Sequence, residues 1–236
     1  MAPLVIAARF NGPPGSANGG FAAGALASVL GLEAGQPVEV TLRAPPPLDT
    51  PLALEPGPPL RARHGETTVL EGRAAEALDL DVPSPPSFAA ATAAAQHYAG
   101  HTAHIFPRCF TCGPDRDPGD GLRVFPGRAA AGAPVAAPLE APADLYGPDD
   151  RLPEPVLWAA LDCPGYFAAA DGDAALLGRI VGEVHGTLRR GERGIVLGWS
   201  LGREGRKVFA GTAVFRESGE LLARAKQTWI LLRPSP

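Results

Sequence analysis

The chain has 236 residues, a formal net charge of −4 and a hydrophobic fraction of 45%. These values are typical of a soluble globular protein, and an acidic chain does not offer the basic surface that general nucleic-acid binding needs. Three cysteines argue against a disulfide-rich secreted domain, and the lack of a signal segment or a long apolar stretch favours a cytoplasmic protein outside the membrane.

The first third of the chain is predicted to contain a strand, a helix and then antiparallel strands. Residues 4–10 form a short apolar run, which predicts a strand. Asn18 stands where a helix N-cap is expected, the small residues at 19–30 suit a closely packed helix, and Gly31 suits its C-cap. Alternating apolar residues predict further strands at 38–43, 60–64 and 67–74.

The remainder of the chain repeats this order after a break. Prolines interrupt the pattern at 82–87, and the alanine-rich segment 88–98 predicts a connecting helix. A second central helix is predicted at 156–162, ending near Pro164 because proline disfavours a helical residue before it. Strands are predicted at 122–125, 134–140, 178–188, 194–201, 208–216 and 221–232.

Two consecutive units of strand, helix and antiparallel strands indicate an internal repeat of an α+β architecture. We therefore predict an N-terminal unit at 1–86, a connector at 87–118 that holds a helix and a Cys-x-x-Cys turn, and a C-terminal unit at 119–236. If the two sheets joined edge to edge, each would protect an edge strand of the other.

Two segments resemble a known family. Asn18-Gly19-Gly20 at the start of a small-residue helix resembles the His-Gly-Gly start of the central helix in hot-dog acyl-CoA thioesterases of the phenylacetate-pathway type. The segment 208–229, with its Glu-Ser-Gly-Glu-Leu turn and Ala-Arg-Ala strand, is similar to the last two strands of that fold. The resemblance implies a double hot-dog of two antiparallel sheets, each wrapped on a central helix. It further implies an acyl-CoA or acyl thioester ligand, no cofactor, and either a monomer or a homodimer.

The chain departs from the family pattern in a complementary way in its two halves. Asn18 replaces the family's histidine, and the acidic residue expected nine positions later falls at Ala27. In the second half Asp162 lies on the predicted helix, but Pro153 stands nine positions earlier without a Gly-Gly pair. A tandem protein that keeps one composite site between its halves would have this pattern.

The resemblance and the residue chemistry together predict a division of roles in that site. Backbone N–H groups of Gly19 and Gly20 at a helix N-terminus can stabilise an oxyanion, and Asn18 can cap the helix or bind the thioester oxygen. Asp162 can act as a general base or as a nucleophile. The alternative is structural: the glycines ease helix packing, and Asp162 only bonds to a neighbour.

Aromatic residues and a proline-rich loop are the predicted walls of the acyl site. Phe21, Trp158 and Tyr166 are the expected substrate contacts, and the loop at 11–16 is expected to shape the pocket. A phosphate site in that loop is disfavoured because it lacks the Gly-Lys-Ser/Thr sequence of a P-loop.

Four residues with zinc-ligand chemistry lie close together in the connector. His101, His104, Cys109 and Cys112 could form a tetrahedral Cys2His2 site, and Cys-Phe-Thr-Cys-Gly resembles half of a zinc knuckle. The alternative is a tight turn with small buried thiols, and the sequence favours that interpretation, without a metal.

Three functions are therefore open from the sequence. The first is hydrolysis of an acyl thioester. The second is non-catalytic binding of an acyl ligand in the same cleft, which the missing histidine favours. The third is a hot-dog dehydratase or hydratase, which uses a histidine with a carboxylate, and neither central helix carries a histidine.

Overall fold

The computed structural model of the chain describes residues 1–170 and 172–233, which form three α-helices and ten β-strands. The helices are α1 (Gly19–Leu30), α2 (Phe88–Ala95) and α3 (Glu154–Ala169). The strands are β1 (Val38–Leu42), β2 (Ala53–Glu55), β3 (Leu60–His64), β4 (Thr67–Ala74), β5 (Gly127–Arg128), β6 (Val135–Leu139), β7 (Ala175–Val184), β8 (Gly194–Glu204), β9 (Lys207–Arg216) and β10 (Leu221–Leu231).

All ten strands belong to one antiparallel sheet with the order β2-β3-β4-β1-β7-β10-β9-β8-β6-β5. β1 pairs with β7 near the middle of the sheet, with Val38 opposite Gly182, and this pair joins the two halves of the chain. The sequence predicts two sheets, whereas the described residues form a single one. The β1–β7 ladder pairs backbone groups that two separate sheets would leave on open edges.

The two long helices lie on the two halves of this sheet and cross each other. α1 packs on β1, β4 and β7, α3 packs on β6, β8, β9 and β10, and α1 contacts α3 directly. The crossing is close because a Cβ at Gly20 would lie 2.3 Å from the carbonyl oxygen of Trp158, and a Cβ at Gly24 would lie 2.6 Å from Trp158 Cβ. The small residues that the sequence singles out in this helix thus allow the close contact.

The predicted limits of α1 are confirmed. Asn18 precedes the first helical residue and its Oδ1 accepts a hydrogen bond from the Phe21 N–H at 2.9 Å. Gly31 ends the helix in the left-handed conformation with φ of 62°. The strand at 38–43 and the hairpin across residues 64–67 are also confirmed as β1 and β3–β4.

α3 is longer than predicted, because it continues through Pro164 to Ala169. Proline removes one backbone donor from a helix and crowds the preceding turn, which normally disfavours continuation. Here the helix is buried on both sides of that residue, and Leu161 and Gly165 have little exposure. Packing against the sheet therefore overrides the local preference.

Two predicted strands are absent from the sheet. Residues 4–10 contribute one bridge between Leu4 and Leu52 and then form a 3-10 turn. Residues 122–125 instead bond to the Cys-x-x-Cys segment, since the N–H groups of Leu122 and Val124 donate to the carbonyl oxygens of Phe110 and Thr111 at 2.9 and 2.8 Å. Several of their backbone groups thus have partners outside a strand ladder, so an apolar run at these positions does not need strand partners.

The last four strands are present but are not arranged in chain order. β8, β9 and β10 are consecutive neighbours, whereas β7 lies between β1 and β10.

None of the helices in the described part of the chain is both long and apolar enough to cross a lipid bilayer.

Candidate active site

The contact between α1 and α3 brings together the polar residues that the sequence singles out. Asp162 lies on α3, and its Oδ2 accepts hydrogen bonds from Asn18 Nδ2 at 2.6 Å and from the Gly20 N–H at 3.0 Å. Asn18 and Asp162 are 2% and 3% exposed. A buried carboxylate is thus held by the N-terminus of a helix from the other half of the chain, where the helix dipole favours negative charge.

Asn18 serves both helices through one side-chain amide. Its Oδ1 accepts from Phe21 N within α1, and this contact orients Nδ2 toward Asp162. A carboxamide offers one acceptor and two donors, so it can cap its own helix while it donates to a carboxylate.

The two oxygens of Asp162 have different surroundings. Oδ2 has both hydrogen bonds described above, whereas Oδ1 is buried and has no hydrogen-bond partner among residues 1–170 and 172–233. Burial raises the pKa of this carboxyl to about 7, opposed by the hydrogen bonds from Gly20 and Asn18, which favour the ionised form. A carboxyl with a pKa near neutrality suits general acid–base chemistry at physiological pH.

The geometry also changes the role predicted for Gly20. Its N–H, expected to bind a substrate carbonyl, donates to Asp162 Oδ2 in the structure. Gly20 must be small for a further reason, because a Cβ there would lie 2.7 Å from Asp162 Cβ. The glycine therefore supports the carboxylate directly.

A cavity of about 390 Å³ opens beside Asp162. Its walls are largely apolar and include Leu177, Phe106 and the aromatic rings of Tyr166 and Trp229, whose centroids lie 5.6 Å apart. Gly12, Pro13, Pro14 and Ser16 of the N-terminal loop also line it, as the sequence predicts for a pocket-shaping loop. An apolar cavity with a few converging polar groups is typical of a small-molecule site.

Only one of the three predicted substrate contacts lies in that cavity. Tyr166 lines it, whereas Phe21 stacks on Phe10 with ring centroids 3.8 Å apart. Trp158 packs under α1, donates from Nε1 to Glu154 at 3.1 Å, and lines a separate cavity of about 500 Å³. Trp158 precedes Asp162 by one helical turn, but the outer edge of its ring lies against Gly182 of β7, where an added Cβ would be 2.8 Å from Trp158 Cη2.

The cysteines of the connector lie in the wall of the same cavity, together with one that the sequence did not group with them. Cys163 follows Asp162 on α3, and its Sγ is 3.7 Å from Cys109 Sγ. His104 Nε2 is 3.2 Å from Cys112 Sγ. His101 is outside this group, since it is exposed and packs edge-on to the Tyr98 ring.

Gln227 is a buried polar residue near the site that sequence reasoning missed. It is 0% exposed, its Nε2 donates to the carbonyl oxygen of Leu161 at 2.6 Å, and its Oε1 accepts from Trp229 Nε1 at 2.8 Å. The signal was present, because Gln227 is the one polar residue among the alternating inward positions Ala225, Gln227 and Trp229 of β10. It ties the residue before Asp162 to an aromatic wall of the cavity.

Replacement of Gln227 by Leu is expected to lower the free energy of unfolding by roughly 1–3 kcal/mol, because it leaves buried polar partners unpaired. Chemical denaturation of both proteins measures this difference. The matched control is Lys226→Leu on the exposed face of the same strand, with an expected change within about 0.5 kcal/mol. Equal effects of the two substitutions would show that the Gln227 hydrogen bonds do not stabilise the fold.

Comparison with known proteins gives a similarity of fold. No protein-family model and no curated protein sequence matches the chain. Among solved structures, a tesB protein of Mycobacterium avium subsp. paratuberculosis is 16% identical with a TM-score of 0.60, covering 94% of this chain and 90% of that one. Acyl-CoA thioesterase II TesB2 of Mycobacterium marinum is 15% identical with a TM-score of 0.56, covering 93% and 91%.

A third solved structure carries the fold in its description. It is a conserved protein of unknown function with a hot dog fold from Alicyclobacillus acidocaldarius, 14% identical, with a TM-score of 0.59 and coverage of 97% of this chain and 91% of that one. This chain therefore has the hot-dog fold and is similar over most of its length to structures of TesB-type thioesterases. The hot-dog fold implied by the sequence resemblance is thus confirmed, whereas its division into two separate sheets is not.

Proposed function

We propose that this protein hydrolyses acyl thioesters, with acyl-CoA as the substrate class, at a composite site between two hot-dog units, residues 1–86 and 119–236. The contact of Asn18 and Gly20 on α1 with Asp162 on α3 supports a single site that draws on both units. The descriptions of the TesB-type neighbours support the thioesterase activity.

The observation that carries this proposal is the asymmetric environment of the Asp162 carboxylate. One oxygen is fixed by two donors, the other has no partner among the described residues, and the side chain faces an apolar cavity. A purely structural aspartate would use both oxygens, because an unpaired buried polar atom costs free energy. Asp162 lines the cavity, and its unpaired oxygen, which is itself buried in the ligand-free chain, is the atom that we assign to the reaction.

In the proposed reaction Asp162 Oδ1 removes a proton from a water molecule as the water oxygen attacks the thioester carbonyl carbon. The tetrahedral intermediate collapses as the carbon–sulfur bond breaks, and the leaving thiolate takes the proton from the Asp162 carboxyl. The products are a carboxylic acid and a thiol, and the carboxylate is regenerated. Tyr166 and Trp229 give the acyl chain an apolar surface and limit the access of other water molecules.

The same oxygen could instead attack the carbonyl carbon directly and form an acyl anhydride that water then cleaves. Single-turnover hydrolysis in ¹⁸O-labelled water separates the two routes. In one turnover the base route places the label in the product acid, whereas the nucleophilic route, with water cleaving the anhydride at the Asp162 carbonyl carbon, places it in Asp162, which peptide mass spectrometry detects.

The activity is tested with a panel of short, branched, aromatic and long-chain acyl-CoAs. Loss of the ultraviolet absorbance of the thioester is the suitable readout, because the three free thiols of the protein would react with thiol reagents. We expect saturable turnover of at least one member of the panel. No turnover of any member, at protein concentrations that give a binding signal, would contradict the proposed hydrolysis.

A second candidate function is non-catalytic binding of an acyl ligand in the same cavity. The observation that favours it is the engagement of the Gly20 N–H by Asp162, since this donor is then not free to stabilise an oxyanion. Binding without hydrolysis would appear as a rise in melting temperature with acyl-CoA while the thioester absorbance stays constant.

Replacement of Asn18 by Ala is expected to lower kcat/KM by roughly 10- to 100-fold, the range for loss of a hydrogen bond to a charged group. The variant also loses the α1 cap, at a cost of about 1 kcal/mol in the free energy of unfolding. Ser87→Ala is the matched control, because Ser87 caps α2 in the same way, by accepting from Ala90 N at 3.2 Å. An equal loss of activity in both variants would assign the effect to stability alone.

A further inference from the structure

Three thiols from two separate segments converge on one point beside the cavity. Cys109 and Cys112 belong to the connector turn and Cys163 to α3, and their three Sγ atoms lie within 4.8 Å of one another. All three are buried free thiols. One disulfide would join two of these cysteines and leave the third as a free thiol. A ligand that binds all three sulfur atoms therefore accounts for the group better than a single S–S bond.

The distance between two of these sulfur atoms matches an edge of a zinc tetrahedron. At a zinc–sulfur distance of about 2.3 Å, the edge between two sulfur atoms of a tetrahedron is about 3.8 Å. The observed distance between Cys109 Sγ and Cys163 Sγ is 3.7 Å. The two atoms could therefore accept a zinc ion with little movement of either side chain.

His104 lies next to Cys112 but outside the group of ligand atoms that are within 4.8 Å of one another, so its ring has to move toward Cys109 and Cys163 to become the fourth ligand. Its Nε2 lies 3.2 Å from Cys112 Sγ, near the nitrogen–sulfur edge of about 3.6 Å expected for a zinc tetrahedron. Its Nδ1 accepts a hydrogen bond from the Phe106 N–H at 2.9 Å, which places the proton of the neutral ring on Nε2. Zinc at Nε2 requires the proton of the neutral ring to move to Nδ1. Nδ1 then no longer accepts the hydrogen bond from the Phe106 N–H.

The connector turn is built closely enough to hold its two cysteines in place. The Gly113 N–H donates to the carbonyl oxygen of Cys109 at 2.9 Å, and a Cβ at Gly113 would lie 2.6 Å from Cys109 N. The Tyr98 hydroxyl donates to the carbonyl oxygen of Cys112 at 2.9 Å. These contacts fix the backbone of both cysteines, as a preorganised ligand pair requires.

We propose that Cys109, Cys112, Cys163 and His104 bind one zinc ion in a Cys3His site that fastens the connector to α3. This set shares three residues with the candidate set read from the sequence, and Cys163 takes the place of His101. Structural zinc sites normally stabilise short irregular segments. The metal–ligand bonds contribute folding free energy that such a segment does not gain from a hydrophobic core. The proposal does not depend on hydrolysis of a thioester.

The first test measures metal in the full chain, purified without a histidine tag. We expect about one zinc per chain, and X-ray absorption at the zinc edge should show three sulfur neighbours near 2.3 Å and one nitrogen near 2.0–2.1 Å. After removal of zinc under reducing conditions, Co²⁺ should give the thiolate-to-cobalt charge-transfer bands and d–d bands of a tetrahedral site. Zinc-free protein whose thiols neither bind Zn²⁺ nor develop these bands would overturn the proposal.

The second test uses ligand variants of the same chain. We expect Cys163→Ser to reduce bound zinc to about a tenth or less, and His104→Ala to weaken zinc affinity by about tenfold or more. His101→Ala is the matched control and should retain full zinc content. Unchanged affinity in the Cys163 variant would overturn the site, and unchanged affinity in the His104 variant would overturn its fourth ligand. The absorption spectrum of the wild-type chain decides the outcome if a variant does not fold.

Discussion

Replacement of Asp162 by Asn is expected to lower kcat/KM for acyl-CoA hydrolysis by about 10³-fold, the range for loss of a general base or nucleophile. The amide keeps the size of the carboxylate and can still accept from Asn18 and from the Gly20 N–H, so the helix contact should survive. Steady-state kinetics with the best acyl-CoA of the panel measures the change.

Asp117→Asn is the control for this experiment, because Asp117 is exposed in the connector loop. The substitution removes the same charge from the chain at a site far less buried than Asp162. Its kcat/KM should equal that of the wild type. If Asp162→Asn retains wild-type turnover, Asp162 is not part of the mechanism.

In the zinc-free chain, the same Asp162 variant should be more stable than the wild type at alkaline pH. Burial raises the pKa of this carboxyl from 3.8 to about 7, so its ionisation destabilises the folded state increasingly between those values. At about 1.4 kcal/mol per pH unit, the gain for the neutral amide is on the order of 4 kcal/mol at pH 8 and vanishes near pH 4. Denaturation curves at both pH values measure it, and a gain independent of pH would contradict this assignment.

Replacement of Gly20 by Ala is expected to disrupt the contact between the two helices. The new Cβ would lie 2.3 Å from the carbonyl oxygen of Trp158 and 2.7 Å from Asp162 Cβ, and neither atom is the mobile end of a flexible side chain. We expect a loss of about 3 kcal/mol in the free energy of unfolding. Activity should fall by about 100-fold, because a displacement near 1 Å at a reacting group has that effect.

Gly19→Ala is the matched substitution one residue earlier. The three atoms nearest to its Cβ would be side-chain atoms, with Leu177 Cδ2 at 3.1 Å, and alanine favours a helix by about 1 kcal/mol relative to glycine. We therefore expect near wild-type stability at that position. Equal destabilisation by the two substitutions would show that the close approach of Gly20 to Trp158 and Asp162 is not the reason that glycine is required there.

The elements predicted best from sequence have strong local signals. α1 has a side-chain cap at Asn18 and a left-handed glycine at Gly31, and both signals depend only on the helix itself. The end of α3 could not be predicted in this way, because its continuation through Pro164 depends on burial against the sheet. The pairing of β1 with β7 joins residues about 140 positions apart, for which no local pattern exists.

The site was partly predictable for the same reason. Asn18 and Asp162 could be selected by chemistry and by the family resemblance, and the structure brings them into contact. That the Gly20 N–H is used by the carboxylate depends on the crossing distance of the helices, which sequence does not reveal. The surroundings of the Trp158 and Cys163 side chains depend likewise on the direction in which each side chain projects from α3.

The most direct test of the account is a crystal structure of the Asp162→Asn protein with an unhydrolysed acyl-CoA. The proposed mechanism predicts that the thioester carbonyl carbon lies beside the residue 162 side chain, within about 3.5 Å of it or joined to it through one water molecule, with the acyl chain against Tyr166 and Trp229. An acyl group bound instead in the separate cavity beside Trp158, with its thioester away from residue 162, would contradict the mechanism.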